Sequence, residues 1–165
     1  MPEAKGNRIW IIPWSGSIYR YQPDSESFDY LKSQPGNPER PQAWSYRDAI
    51  VDRHGQLWLA SDDGGLEQYD QKTGLFRPIG VGSGSDSLHD FTIWDIAEDT
   101  AQQCLWLGTE RAGLARFDLR THQVKHYSGS SDEGGQAPVT VKSIALDQAG
   151  QLWLATPVGL VMRSR

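Results

Sequence analysis

Charged and aromatic side chains recur four and five positions after tryptophans in this chain. Carboxylates, a guanidinium and an aromatic ring on loop tips are the groups that hold a polar ligand on a rigid scaffold. We therefore predict a ligand-binding site at one end of neighbouring strands. Its candidate residues, including two that stand just ahead of strands, are Trp14, Asp62, Asp63, Glu110, Arg111, Trp44 and His89.

Simpler alternatives exist for these residues. Charged loops are often only solvated, and packing suits Trp44 while solvent exposure suits His89. Asp62, Asp63 and Glu110 could also supply the paired carboxylates of a glycoside hydrolase, but nothing in the sequence fixes their separation. The chain lacks a nucleophile elbow, a P-loop and a dinucleotide fingerprint. We predict a non-catalytic protein that uses no cofactor.

Histidine and cysteine give little support to a metal site. His122 and His126 have the spacing of a helical zinc motif, but on an extended strand four residues separate them by roughly 13 Å. Cys104 is the single cysteine, and beside Leu105 it fits a small buried hydrophobe. We predict no bound metal and no internal disulfide.

Composition limits the classes of partner. The 165 residues carry a net charge of −5, and no basic run is present, which argues against nucleic-acid binding. No stretch of 18 apolar residues occurs, and the N-terminus lacks the pattern of a signal peptide. These features predict a single domain over residues 1–165 with no membrane segment and no targeting signal of its own.

The tryptophans mark an internal repeat. Trp10, Trp58, Trp106 and Trp153 lie 48, 48 and 47 positions apart, and the hexapeptide GQLWLA occurs twice, at 55–60 and at 150–155. Alternating apolar residues precede each of the last three tryptophans, and a Gly-Leu pair and a further aromatic or aliphatic strand follow. Each complete unit therefore holds four short strands.

A four-stranded unit of this length is typical of a β-propeller blade. The second strand is apolar on both faces, as expected of a sheet covered on both sides, and the tryptophan would fill the gap between blades. We predict an all-β propeller fragment of about 3.5 four-stranded antiparallel blades, with roughly 14 strands in groups of three, four, four and three. The blade boundaries are approximately 1–40, 41–88, 89–137 and 138–165.

The consensus D-x-x-G-x-L-W-[IL]-[GA]-[TS], followed by G-L-x-x-[YF]-D, resembles the two-component regulator propeller repeat. The best copies are IVDRHGQLWLASDDGGLEQYDQKTGLF and IAEDTAQQCLWLGTERAGLARFDLRTHQV. WD-repeat and kelch patterns fit less well. The resemblance covers nearly the whole chain, although a complete member of this family carries many more blades.

The resemblance implies the extracytoplasmic, periplasmic sensor part of a bacterial receptor, with a histidine kinase or cyclase output domain on the full-length protein. It also implies a carbohydrate or small polar ligand. An incomplete propeller leaves open edges, so missing blades or a second copy of the chain are expected partners. A protein-interaction scaffold is the first alternative, and a propeller glycosidase or lyase the second.

Overall fold

The computed structural model of the chain describes residues 9–13, 17–80, 87–88, 91–127 and 140–163. All regular structure in these ranges is β-strand, as predicted, and the 14 strands form four antiparallel sheets of three, four, four and three strands. No helix long and apolar enough to cross a membrane occurs in the described ranges.

Each sheet consists of strands that are consecutive in the chain. Sheet 1 contains β1 (Ile9–Ile11), β2 (Ser17–Gln22) and β3 (Ser27–Lys32). Sheet 2 contains β4 (Tyr46–Val51), β5 (Leu57–Ser61), β6 (Leu66–Asp70) and β7 (Leu75–Ile79). Sheet 3 contains β8 (Ile93–Asp99), β9 (Cys104–Thr109), β10 (Leu114–Asp118) and β11 (Val124–Tyr127). Sheet 4 contains β12 (Ser143–Leu146), β13 (Leu152–Thr156) and β14 (Gly159–Arg163).

The repeated hexapeptide is a turn followed by a buried strand. Asp52 Oδ1 accepts hydrogen bonds from the backbone N–H groups of His54 (2.8 Å) and Gln56 (2.9 Å), and Gly55 turns the chain at a φ of 78°. The other oxygen, Oδ2, accepts from Nε1 of Trp58 at 2.9 Å. The same carboxylate therefore fixes both the turn and the indole, which explains why the acidic residue accompanies the motif.

The third turn departs from this pattern because it is one residue longer. Asp99 precedes Trp106 by seven positions rather than six, and Gln103, at a φ of 53°, stands where the other turns have glycine. The indole Nε1 of Trp106 is buried and has no acceptor among the described residues. The bond between aspartate and indole is restored in the last copy, where Trp153 donates to Asp147 at 3.1 Å.

Three apolar clusters lie between successive sheets. The cluster between sheets 2 and 3 includes Trp58 and Phe117, and the one between sheets 3 and 4 includes Trp106 and Leu154. The third cluster lies between sheets 1 and 2, where Trp10 meets Tyr69 edge to face at 5.0 Å between ring centroids. The strands β5 and β9 are buried at every position because sheets cover both of their faces.

Aspartates on the first strands add bonds between sheets. Asp48 Oδ2 accepts from the backbone N–H of Ile96 at 2.9 Å, and Asp95 Oδ2 accepts from that of Ile144 at 2.6 Å. A β-bulge precedes each aspartate and turns its side chain toward the next sheet. Burial raises the pKa of Asp48 above its usual range.

The outer faces of sheets 1 and 4 are apolar and uncovered by any described strand. Trp153 is 36% exposed, unlike Trp58 at 2%, and β13 alternates between buried and exposed positions where β5 does not. The prediction that each repeat tryptophan fills a gap between sheets is therefore correct for Trp10, Trp58 and Trp106 and not for Trp153. The exposed apolar residues of these two faces include Ile9, Ile11, Phe28, Tyr30, Leu160 and Met162.

Candidate functional site

The loops that follow the second strands lie beside the connections between sheets. Thr92, which precedes β8, donates its Oγ1 proton to the carbonyl oxygen of Asp62 at 2.6 Å. Thr140, which precedes the fourth sheet, makes the same bond to the carbonyl of Glu110. We call this side of the molecule the loop face; its described residues are 33–45, 62–65, 91–92, 110–113, 140–141 and 157–158.

Four of the predicted site residues line one groove on the loop face. Its volume is about 290 Å³, and we call it the central groove. Its walls come from the loops of sheets 2 and 3. The lining residues are Asp62, Asp63, Phe91, Thr92, Glu110 and Arg111.

The loops of the central groove are held rigidly. Ser61 Oγ accepts from the backbone N–H of Gly64 at 2.7 Å and donates to the carbonyl of Gly65 at 3.0 Å. Thr109 makes the same pair of bonds in sheet 3, to Ala112 and Gly113. The serine or threonine three positions after Trp58 and Trp106 therefore closes the loop that carries the charged residues.

Asp62 differs from the other charged residues of the central groove. Its carboxylate accepts a hydrogen bond from Ser45 Oγ at 2.8 Å and forms an ion pair with Arg47. The side chains of Asp63, Glu110 and Arg111 are exposed, and no ion pair joins them to any other described residue. Asp62 thus orders the groove, while the other three can contact a ligand.

A stack of two cations and an indole crosses three sheets beside this groove. The guanidinium of Arg47 lies 4.3 Å from the ring centroid of Trp94, and the Nζ of Lys142 lies 3.5 Å from it. Positions 48, 95 and 143 are equivalent in the first strands of sheets 2, 3 and 4, and each residue of the stack directly precedes one of them. The repeat therefore places the three side chains next to one another. Sequence reasoning missed the stack because it aligned the units on the second strand and not on the first.

A larger cleft of about 640 Å³ lies where the loop face meets the uncovered face of sheet 1, and we call it the outer cleft. Trp44 is 64% exposed there, so the packing role that was its simpler alternative is not what the structure has. The outer cleft and the central groove share no lining residue. The outer cleft is lined by Tyr30, Lys32, Ser33, Gln34, Pro35, Arg40 and Trp44.

A buried carboxyl anchors the loop that carries Trp44. Glu67 on β6 accepts hydrogen bonds from the Tyr46 hydroxyl at 2.6 Å and from the backbone N–H of Gln42 at 3.1 Å. The Tyr46 hydroxyl in turn accepts from the backbone N–H of Ala43 at 3.1 Å. Burial raises the pKa of Glu67 to about 7. No pattern in the sequence distinguished Glu67 from a solvated residue.

Two predicted site residues, Trp14 and His89, lie outside the described residues. The histidines considered as metal ligands have other contacts: the ring of His122 stacks on Phe117, and His126 Nε2 lies 3.3 Å from the carbonyl oxygen of Ser87. Within the described ranges no three histidine, cysteine or carboxylate side chains are grouped so as to hold a metal ion. Cys104 is buried, which raises the pKa of its thiol.

Comparison with solved structures identifies bacterial extracellular domains of the same fold. The chain matches the extracellular domain of BT3049, a hybrid two component system of B. thetaiotaomicron, at a TM-score of 0.74 and 22% identity over 98% of the chain. It also matches the extracellular domain of BT4673, a one component system of the same organism, at a TM-score of 0.62 and 20% identity over 96% of the chain. The resemblance to two-component sensor propellers is thereby confirmed at the level of the fold.

A third match is PorZ, an essential surface component of the type-IX secretion system of Porphyromonas gingivalis, at a TM-score of 0.67 and 20% identity over 98% of the chain. The chain spans 21% of the BT3049 structure, 26% of the BT4673 structure and 25% of the PorZ structure. No family model matches the chain, and no curated protein matches it.

Proposed function

We propose that the four sheets are successive blades of a larger β-propeller and that this propeller is a non-catalytic sensor module. It belongs to a bacterial two-component-type receptor, lies in the periplasm or outside the cell, and recognises a carbohydrate or another small polar ligand on its loop face. The output is a kinase or cyclase domain of the full-length protein. The match to extracellular domains of two-component and one-component systems supports this assignment.

The observation that carries the proposal is the central groove. Loops from two successive sheets bring Asp63, Glu110 and Arg111 to one site, and threonine bonds between the sheets fix those loops. Carboxylates accept hydrogen bonds from sugar hydroxyls, and a guanidinium donates to them. Because the scaffold is already ordered, little conformational entropy is lost when a ligand binds.

A role in binding rather than hydrolysis fits the state of Asp62. Both of its carboxylate oxygens are engaged, one by Ser45 and the other by Arg47. A glycosidase needs one carboxylic acid that donates a proton and a second that acts as base or nucleophile. Because both oxygens of Asp62 are already bonded to side chains of the chain itself, neither is free to contact a sugar.

Titration with a panel of neutral and charged oligosaccharides tests the proposal. Thermal stability and tryptophan fluorescence are followed for the native chain and for the variant Glu110→Ala/Arg111→Ala. The matched control is Asp24→Ala/Lys72→Ala, which removes one acid and one base from the opposite face. We expect at least one sugar to raise the melting temperature of the native chain and of the control, and to have a weaker effect on the groove variant. No shift with any sugar would contradict the proposal, and turnover of a sugar would favour the enzyme.

A protein-interaction scaffold is the second candidate, and the likeness to PorZ favours it. Exposed charged loops on a rigid face can dock a protein as well as a sugar. The two candidates differ in outcome: a scaffold would bind a protein partner through the loop face in a pull-down while no oligosaccharide altered its melting temperature.

A further inference from the structure

A pocket of about 270 Å³ lies between sheets 2 and 3 on the side opposite the loop face, and we call it the turn pocket. Its walls include the turn between β4 and β5, at residues 52–56, and the turn between β10 and β11, at residues 119–122. Both sheets are four-stranded units inside the chain, so further blades would pack on sheets 1 and 4 and would not cover this pocket. It shares no residue with the central groove.

The side chains of the turn pocket favour an anion. Two arginines, Arg53 and Arg120, line it, and Asp52 is the one carboxylate among the described residues that do so. Both oxygens of Asp52 are already used, Oδ1 by backbone N–H groups of its own turn and Oδ2 by the indole of Trp58. The lining is therefore positive in a chain with a net charge of −5, and a concave surface of one sign attracts a ligand of the opposite sign.

The side chain of Arg53 is oriented by contacts to both sheets. Its Nε donates to His54 Nε2 at 3.1 Å, and a terminal nitrogen donates to the carbonyl oxygen of Thr100, in the turn between β8 and β9, at 3.2 Å. Glu98, which is not part of the lining, accepts from the backbone N–H of Arg53 at 3.0 Å. A guanidinium has five N–H groups, and the first two bonds use only two of them. The group is thus held in place while its other donors can bind an anion.

Two residues of sheet 3 that line the turn pocket depart from the repeat at a conformational cost. Gln103 has a φ of 53° and His122 a φ of 60°, whereas the equivalent residues of sheet 2 are Gly55 and Gly74. Glycine adopts this left-handed region freely, and residues with a Cβ do so at a cost. Among the described residues other than glycine, only Glu26 shares the feature. Because such residues concentrate at ligand sites, both side chains indicate a use that glycine cannot serve.

The donors of the turn pocket come from both of its walls. Arg53 belongs to sheet 2, while Gln103, Arg120 and His122 belong to sheet 3, and the ring of His122 is fixed by stacking on Phe117. A carboxylate presents two oxygens in one plane, whereas a phosphate or sulfate presents oxygens in several directions and suits donors on facing walls.

We propose that the turn pocket binds a tetrahedral oxyanion, a phosphate or sulfate group, through Arg53, Gln103, Arg120 and His122. This site lies on the other side of the molecule from the loop face. It is therefore a second binding site, independent of the proposed sensor function.

Titration of the full chain followed by two-dimensional proton–nitrogen NMR, at pH 7 and constant ionic strength, tests the proposal. The probes are inorganic phosphate, sulfate, glycerol phosphate and acetate, and the signals are the backbone amides of residues 52–56 and 119–122 and the Nε–H of Arg53. We expect phosphate or sulfate to shift these signals to saturation and acetate to bind at least about tenfold more weakly. Glycerol phosphate that binds as tightly as inorganic phosphate would identify a phosphate ester as the ligand, and weaker binding would identify the free ion.

Matched variants locate the site. Arg53→Ala/Arg120→Ala should weaken binding of the anion at least about tenfold, whereas Arg40→Ala/Lys72→Ala, which removes two charges elsewhere, should leave it unchanged. Position 72 is the repeat equivalent of position 120 but lies outside the pocket lining. Gln103→Gly restores the glycine of the repeat, so it should weaken binding without lowering the melting temperature.

Three results would overturn the inference. Acetate that binds as tightly as phosphate and sulfate would exclude recognition of a tetrahedral anion. An equal loss in Arg40→Ala/Lys72→Ala would mean non-specific attraction, and no shift in the two turns with any anion would exclude the site altogether. The sensor proposal stands in each case, because its test uses sugars and the loop face. Near-ultraviolet circular dichroism checks that each variant is folded.

Discussion

Trp58 of sheet 2 and Phe117 of sheet 3 pack edge to face across the interface between their sheets, with ring centroids 5.4 Å apart. They are 59 positions apart in the chain, as are Trp10 and Tyr69, which join sheets 1 and 2 in the same way. One spacing in the sequence therefore produces the same aromatic contact at two interfaces. The hydrogen bond from the indole to Asp52 fixes the ring in the orientation that this contact needs.

Replacement of Trp58 tests how much this contact stabilises the fold. Because the indole is 2% exposed, we expect Trp58→Ala to lower the free energy of unfolding by about 3 to 5 kcal/mol, measured by urea denaturation. Trp153→Ala is the matched control, and its cost should be well below that because its indole is 36% exposed. The milder Trp58→Phe keeps a ring and should still fold. Equal losses at positions 58 and 153 would mean that burial between sheets is not the source of the stability.

The bond from Asp95 to sheet 4 leads to a local prediction. Its Oδ2 accepts from Ser143 Oγ at 2.7 Å and from the backbone N–H of Ile144 at 2.6 Å. Asp95→Ala leaves the buried Ile144 amide unpaired, which costs about 1 to 3 kcal/mol. Hydrogen exchange should accelerate in β12 to β14 more than in sheet 2. The control Ser143→Ala removes only the exposed partner, and its effect should be smaller. Uniform acceleration over all four sheets would contradict a local role.

Sequence periodicity predicted the strands and the sheets because tryptophan burial requires the same local pattern in every unit. It also predicted that Asp62, Asp63, Glu110 and Arg111 follow second strands, and the structure brings them to one groove. Whether they bind a ligand stays a prediction. The first-strand residues were harder to predict, since a bulge shifts their register by one position and no local pattern marks a bulge.

The outer cleft could not be predicted from the sequence. Tyr30 and Lys32 lie on β3, while Arg40 and Trp44 lie in the connection to the next sheet. Their proximity depends on how the connection folds back on the sheet, and hydrogen bonds of the Gln42 and Glu67 side chains fix its conformation. Such bonds join residues up to 25 positions apart, so a short sequence window does not contain them.

Glu67 should make stability depend on pH. Burial raises its pKa in the folded chain to about 7 from an ordinary 4.5, so the folded state binds this proton more tightly. The resulting stabilisation is complete below pH 4.5 and is lost as the pH rises through 7. The free energy of unfolding should fall by about 2 to 3 kcal/mol between pH 5 and pH 8 from this group alone. Aspartates with lowered pKa values, such as Asp29, act only below this window.

Urea unfolding at pH 5, 6, 7 and 8 measures this dependence. Glu67→Gln keeps a hydrogen-bond acceptor but does not titrate, so it should reduce the slope and be more stable than the native chain at pH 8. Glu39→Gln, an exposed residue of the same loop region, should leave the slope unchanged. An unaltered slope in Glu67→Gln would show that this carboxyl is not the group responsible.

The uncovered faces of sheets 1 and 4 should make the chain self-associate. Each face carries the same aromatic residues as the interfaces inside the chain. On sheet 4, an aspartate orients Trp153 as it orients Trp58. On sheet 1, Tyr21 occupies the position at which Tyr69 and Phe117 contact a tryptophan of the preceding sheet. Exposed apolar sheet faces of this type bind another face of the same type. We expect the weight-average sedimentation coefficient to rise with protein concentration over the micromolar range.

Charge placed on such a face should reverse the association. Met162, on the uncovered face of sheet 4, is 50% exposed, and Val51, at the end of β4 in sheet 2, is 51% exposed. Since their exposure is nearly equal, Met162→Lys and Val51→Lys add the same charge at similar cost to the monomer. Only Met162→Lys should weaken association, because a lysine buried between two sheets loses its hydration without gaining a partner. A native chain that sediments as a monomer at every concentration, or equal effects of the two substitutions, would exclude association through this face.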